Sequence, residues 1–184
     1  SLFPYTTLLR SGFEESYGYL IKPFVRDKDA IQTLVLLAEV AAYYRSREMT
    51  LFDGVQELFT KYGYFKEKTI STTYAGVQGP AKIAALMKKF REEAPQDFAG
   101  VKIEETEDFA KDTKTLADGT VEKLGMPNSN VLRYVLADET WIAIRPSGTE
   151  PKLKFYIGTA GSSDQEANQK LADFEAALTA FANE

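Results

Sequence analysis

Seven consecutive residues, Arg145-Pro146-Ser147-Gly148-Thr149-Glu150-Pro151, combine turn formers with anion-binding groups. Pro146, Gly148 and Pro151 supply turn chemistry between two apolar runs. Turn chemistry alone leaves Arg145, Ser147 and Thr149 unexplained. Arginine offers a planar fork of donors matched to phosphate oxygens, and the two hydroxyls add neutral donors. Gly148 lets backbone amides approach an anion closely, so the segment can form a concave nest. Lys152 and Lys154 come next, and residues 145–154 carry a net charge of +2 within a chain of −5. Such a site is a focused field on an acidic protein. A polar hairpin tip with one strand-end arginine fits the same composition. A second dense stretch lies upstream, where Gly12 to Leu20 mixes glycines with Glu14, Glu15 and Ser16, followed by Arg26, Asp27 and Lys28.

Composition narrows the chemistry. The 184 residues include no Cys and no His. Thiolate and imidazole metal sites, disulfides, a Cys nucleophile and a Ser-His-Asp triad are therefore excluded within this chain. A net charge of −5 argues against nucleic acid, whose binding needs a positive surface. No apolar run reaches the roughly 18 residues of a membrane span, and no secretion signal opens the chain. What remains is chemistry by carboxylates, Lys, Arg, hydroxyls and backbone amides. With 44% hydrophobic residues the chain can bury a core.

The run from Thr140 to Thr159 resembles the phosphate-binding loop in the C-terminal domain of the α-D-phosphohexomutases, the phosphoglucomutases and phosphomannomutases. By that resemblance Arg145, Ser147, Gly148 and Thr149 hold the substrate phosphate remote from the reacting end. Glu14-Glu15-Ser16 is similar to the family's sugar-binding loop, which implies that Glu14 and Ser16 hold sugar hydroxyls. Phe13 departs from the Gly common before the first Glu. Arg26-Asp27-Lys28-Asp29-Ala30 resembles the segment opening the next helix, placing Lys28 near the sugar or its phosphate, where it could assist proton transfer. Asp27 also reads as a plain helix N-cap, Arg26 and Lys28 as a solvated helix start, and Glu15 as structural.

The resemblance implies an intramolecular phosphotransferase acting through a phosphoserine and a bisphosphorylated sugar, with Mg²⁺ and glucose 1,6-bisphosphate as cofactors of the full-length enzyme. The family's phosphoserine and metal loops have no counterpart in this sequence. The expected role is thus binding, with no catalytic residue and no metal ligand of its own. The expected partners are a phosphosugar substrate and the N-terminal domains of the same enzyme, in the cytoplasm. A stand-alone phosphosugar-binding module and a phosphopentomutase of the same family are alternatives.

The elements that must position these groups are set by periodicity. A helix is expected after Asp27, with Ile31, Leu34, Val35, Ala38, Ala41 and Ala42 at helical spacing. Thr50 and Asp53 form a variant capping box for a second helix that buries Val55, Leu58, Phe59 and Tyr62 and stops at Gly63. A strand over 64–74 and a helix opened by Pro80, with Ile83, Leu86, Met87 and Phe90 on one face, come next. Residues 100–104 read as a strand, Glu104 to Asp108 as a solvated acidic edge, and 110–130 as polar with a turn at Asp118-Gly119. Strands are expected at Val131–Leu136, Thr140–Ile144 and Leu153–Thr159. A last helix starts at Ser163, with Ala167, Leu171, Phe174, Leu178 and Phe181 as its stripe. Trp141, Phe155 and Phe174 are assigned to the core.

The fold class expected is α+β. Residues 66–184 form a mixed antiparallel sheet with helices on one face, which the resemblance identifies with the TATA-box-binding-protein-like fourth domain. Residues 12–65 are expected to be the end of a partial α/β third domain. Residues 1–11 read as a lead foreign to the rest of the chain.

Overall fold

Alternation of large apolar residues with polar ones along three consecutive strands creates one wet and one dry face, and the dry face organises the larger part of the protein. The computed structural model describes residues 12–14, 18–21 and 29–183. The chain divides into two compact units between Lys61 and Tyr62.

In the first unit, β1 (Gly12–Glu14) and β2 (Gly18–Leu20) pair as an antiparallel hairpin with Glu14 opposite Gly18. Helix α1 spans Ala30–Arg45. Its N-cap is Asp29, whose carboxylate accepts from the Ile31 and Gln32 amides at 2.9 and 3.3 Å. Asp27, expected to cap it, lies outside the described residues. The helix is seated on the hairpin by the Asp29 amide donating to the Tyr19 carbonyl. Helix α2 (Leu51–Tyr62) opens with the expected capping box: the Asp53 carboxylate accepts from the Thr50 amide and hydroxyl, and the Asp53 amide donates to that hydroxyl. These bonds hold the Asp53 carboxyl below its ordinary pKa. Gly54 passes beneath the Tyr44 ring, where a Cβ would overlap it.

The burial expected of these two helices is not found. Ile31, Leu34 and Val35 of α1, and Val55, Leu58 and Tyr62 of α2, are exposed among the described residues. Leu34 to Leu37 are four consecutive apolar residues, so α1 is apolar around its whole circumference. A helix of that kind is suited to burial on several sides.

The second unit holds β3 (Tyr64–Thr73), α3 (Gly79–Glu92), β4 (Asp97–Phe98), β5 (Val101–Asp108), β6 (Thr113–Leu116), β7 (Val121–Lys123), β8 (Leu132–Leu136), β9 (Trp141–Pro146), β10 (Lys152–Gly161) and α4 (Asp164–Asn183). The sheet is antiparallel throughout, in the order β3-β10-β9-β8-β5-β6-β7, with β4 on β5. Leu132, Tyr134, Leu136, Ile142, Ile144, Leu153, Phe155 and Ile157 face inward. Helices α3 and α4 cover them with Ile83, Met87, Phe90, Phe174 and Leu178. Each such side chain contributes about 1.5–3 kcal/mol by burial. The fold is α+β, with an antiparallel sheet and helices on one face.

Three readings need correction. Glu104 to Asp108 is not a solvated edge but lies in β5. Glu105 and Glu107 are neutralised by cations on neighbouring strands, and Asp108 is buried against Arg91 at 3.1 Å. Residues 110–130 contain β6 and β7, whose polar side chains hid them; the turn at Asp118-Gly119 between them is found. Trp141 lies on the outer face, across Gly158, where a Cβ would overlap the indole; Phe155 and Phe174 are core residues as expected. Tyr134 anchors β8 to α3 by donating its hydroxyl to the Phe90 carbonyl at 2.6 Å, and burial pushes its phenol above the ordinary value.

Candidate anion site at the β9–β10 loop

Strand parity decides what the loop presents. Because Ile142 and Ile144 point into the core, Trp141, Ala143 and Arg145 lie on the outer face of β9. By the same rule Lys152, Lys154 and Tyr156 lie on the outer face of β10. Register sets Lys154 directly opposite Arg145, and Ser71 of β3 opposite Lys154. Ser71, Lys154 and Arg145 therefore form one transverse row.

Several other charges on that face are paired. Glu107 meets Arg133 at 3.0 Å, and Lys114 meets Glu105 at 3.4 Å and Glu122 at 3.8 Å. Lys152 is held by both oxygens of Glu150, at 3.1 and 3.0 Å. Arg145 and Lys154 have no ion pair or side-chain hydrogen bond among the described residues. Two like charges face each other across neighbouring strands, an arrangement that costs stability unless an anion offsets it.

The loop between them is closed at its base. The Ser147 amide donates to the Lys152 carbonyl at 2.8 Å, and the Lys152 amide to the Glu150 carbonyl at 2.7 Å. The Gly148 and Thr149 amides, and the Ser147 and Thr149 hydroxyls, have no hydrogen-bond partner among the described residues. Gly148 is exposed, does not have positive φ, and a Cβ there would meet nothing within 4 Å. The fold itself thus gives no reason for glycine at this position. A guanidinium, an ammonium, two amides and two hydroxyls remain as donors along one short stretch, which is the donor set that an oxyanion requires.

The four residues expected in the phosphate site, Arg145, Ser147, Gly148 and Thr149, are thus neighbours at one hairpin end. Glu14 is the last residue of β1, and its side chain lies outside the described set. Glu15, Ser16, Arg26 and Lys28 lie outside the described residues. No group of three or more acidic side chains suited to a metal occurs among the described residues. No described helix is long and apolar enough to cross a membrane. Lys154 is not among the residues that the resemblance assigns to the phosphate. Its place opposite Arg145 was readable by counting outward from the turn, because both residues alternate with apolar ones.

Comparison with known proteins identifies the family. The family model described as "Phosphoglucomutase/phosphomannomutase, C-terminal domain" matches residues 77–178, more than half of the chain. The chain belongs to the phosphoglucomutase/phosphomannomutase family. A second model, for the family's alpha/beta/alpha domain III, matches residues 6–62. A phosphoglucomutase from Staphylococcus epidermidis is 40% identical over 163 residues, which cover 88% of this chain and 30% of that protein. One from Staphylococcus aureus is 40% identical over 160 residues, covering 86% and 29%. The chain thus spans under a third of the length of these relatives. The crystal structure of pp63/parafusin from Paramecium, a phosphoglucomutase in its open form, aligns with 92% of this chain and 29% of its own at a TM-score of 0.56 and 20% identity, a likeness of fold.

Proposed function

We propose that this chain is the substrate-holding C-terminal portion of a phosphoglucomutase/phosphomannomutase, an isomerase that interconverts hexose 1-phosphate and hexose 6-phosphate through a phosphoserine and a bisphosphorylated sugar. The observation that carries the reading is the set of donors at Arg145, Ser147, Gly148, Thr149 and Lys154 that have no partner among the described residues.

The Arg145 guanidinium gives the phosphate that is not being transferred a planar, charge-assisted contact. The Gly148 and Thr149 amides and the two hydroxyls fix its orientation, while Lys154 adds a second charge from the adjacent strand. Arg145 and Lys154 stand on paired strands and the loop between them is closed at its base by backbone bonds, so the donors are ordered before the ligand arrives, which lowers the entropic cost of binding. Holding one end of the sugar phosphate sets the reach of the other end, so positioning is this chain's share of the reaction. Glu14 and Ser16 take the sugar hydroxyls in this reading, and Lys28 stands by the sugar or its phosphate. Mg²⁺ belongs to the full-length enzyme. The described residues contain no ligand set for it, and no step here runs through it. Residues 12–65 correspond to the end of the third domain and 66–184 to the fourth, in a cytoplasmic enzyme.

The test is a calorimetric titration of the chain with glucose 1,6-bisphosphate, beside Arg145→Ala. Loss of a charge-assisted anchor weakens binding by about 1.5–3 kcal/mol, or roughly 10- to 150-fold. Equal affinity in the two proteins, or no binding by the parent chain, overturns the assignment of the loop. The chain alone is expected to show no mutase turnover.

A further inference from the structure

The anion loop has an outside support. Both backbone bonds that close its base lie within its own hairpin. Among the described residues, the backbone bond from loop 147–151 to another element is the one in which the Tyr74 amide donates to the Pro151 carbonyl at 2.8 Å. This bond extends the β3–β10 ladder one residue past Lys152–Thr73, into the loop. Pro151 has no amide to return, so this contact rests on the Tyr74 peptide alone. That peptide is itself confined from behind. Gly79, the buried first residue of α3, lies so close that a Cβ would overlap the Tyr74 carbonyl oxygen and stand 3.5 Å from the Pro151 Cβ. The Gly79 amide donates to the Gly76 carbonyl at 3.0 Å, which closes the turn from Gly76 to Gly79 that follows Tyr74. The Tyr74 ring lines a groove with Ile70, Thr72, Phe155 and Leu178, so the peptide is fastened to the core.

We propose that the Tyr74 peptide and Gly79 form a backing strut that holds the Ser147–Pro151 loop in its anion-binding conformation. They are positioning residues that touch no ligand. Gly79 is needed here for space: its φ is not positive, and the crowding comes from the Tyr74 carbonyl. A side chain at 79 drives that peptide forward, breaks the bond to Pro151, and moves the Gly148 and Thr149 amides away from a common focus. The proposal rests on the anion reading of the loop.

The test is an amide-resolved NMR titration of the full 184-residue chain with glucose 1,6-bisphosphate, in the parent, Arg145→Ala and Gly79→Ala proteins. In Gly79→Ala the free-state amides of Ser147, Gly148 and Thr149 are expected to shift while those of Ile142 and Ile157 stay in place. Affinity is expected to fall about tenfold, as for misplacing a charge-assisted contact. Parent-like affinity in a folded Gly79→Ala, with Arg145→Ala impaired, overturns the strut and leaves the anion site standing. No binding by the parent overturns the anion site. If Gly79→Ala does not fold, hydrogen exchange at the Tyr74 amide of the parent decides. Bisphosphate slows that exchange if the strut is coupled to the loop, and an unchanged rate refutes it.

Discussion

Replacing Arg145 by Ala should move affinity and stability in opposite directions. Arg145 and Lys154 are directly opposite on β9 and β10, and neither has a counter-charge among the described residues. Opposed side chains on paired strands are about 5 Å apart. Two unit charges at that separation in water repel by about 0.8 kcal/mol. Screening at physiological salt reduces this to about half. Arg145→Ala removes the repulsion and buries no new polar group, so the second unit should gain a few tenths of a kcal/mol. The expected rise in Tm is roughly 1–3 °C at physiological salt and about twice that at low salt. Lys154→Ala should do the same. The double variant should gain no more than either single one, because a repulsion can be removed only once. Bisphosphate affinity should fall in both, with Arg145→Ala the more severe because a guanidinium grips two oxygens. Differential scanning fluorimetry over a salt series, beside the titration, reads both effects. A Tm lowered by several degrees in Arg145→Ala, with affinity unchanged, would mean that Arg145 is a structural strand end and would refute the reasoning.

Three further outcomes test the scaffold. Tyr134→Phe leaves the Phe90 carbonyl short of a buried donor and should cost about 1–3 kcal/mol in urea unfolding. Arg91→Ala removes the closer of the two cations on Asp108, whose side chain is 8% exposed, and frees Asn130; with Lys111 at 3.7 Å and the Ala110 amide still on the carboxylate, the loss of a charge-assisted bond should cost about 1.5–3 kcal/mol, and Arg91→Lys should recover only part of it. At Asp138, burial pushes the carboxyl up, but hydrogen bonds from Lys170 and Thr140 outweigh it and hold the value below normal. The stabilisation is therefore present above the ordinary carboxylate pKa of about 4 and is lost as pH falls through the folded value. Asp138→Asn should cost about 1 kcal/mol at neutral pH and nothing in strong acid, seen as unfolding curves that converge on acidification.

What the sequence revealed depended on how each residue's neighbours were chosen. Thr50 and Asp53, and the alternation of Leu153, Phe155 and Ile157, are local, and local rules recover them. The anion loop was legible because its residue types exceeded what a turn needs. β6 and β7 were not, because their stability comes from the β5–β6–β7 pairing, while the apolar residues of Thr113 to Lys123 are only Leu116, Ala117 and Val121. Asp108 read as solvated because its partner Arg91 stands 17 positions away. Trp141 was assigned to the core with Phe155 and Phe174, but counting outward from Ile142 and Ile144 along β9 places it on the outer face. The apolar spacing in α1 predicted the helix correctly and its burial wrongly, since periodicity says which face is greasy and nothing of what covers it. The strut behind the loop, from Tyr74 to Gly79, joins segments some 70 residues apart and leaves no local mark.

Trp141 is the sole tryptophan of the chain. It sits on the same strand and face as Arg145, four residues away, hence about 13 Å along β9. Its indole lies against Gly158 and within 6.0 Å of the Arg133 guanidinium. The protein therefore carries its single tryptophan fluorophore on the surface where the anion is expected to bind. Its emission, excited beyond the absorption of tyrosine, can report ligand arrival without a label. Quenching by iodide and by acrylamide can then separate a change in local charge from a change in exposure.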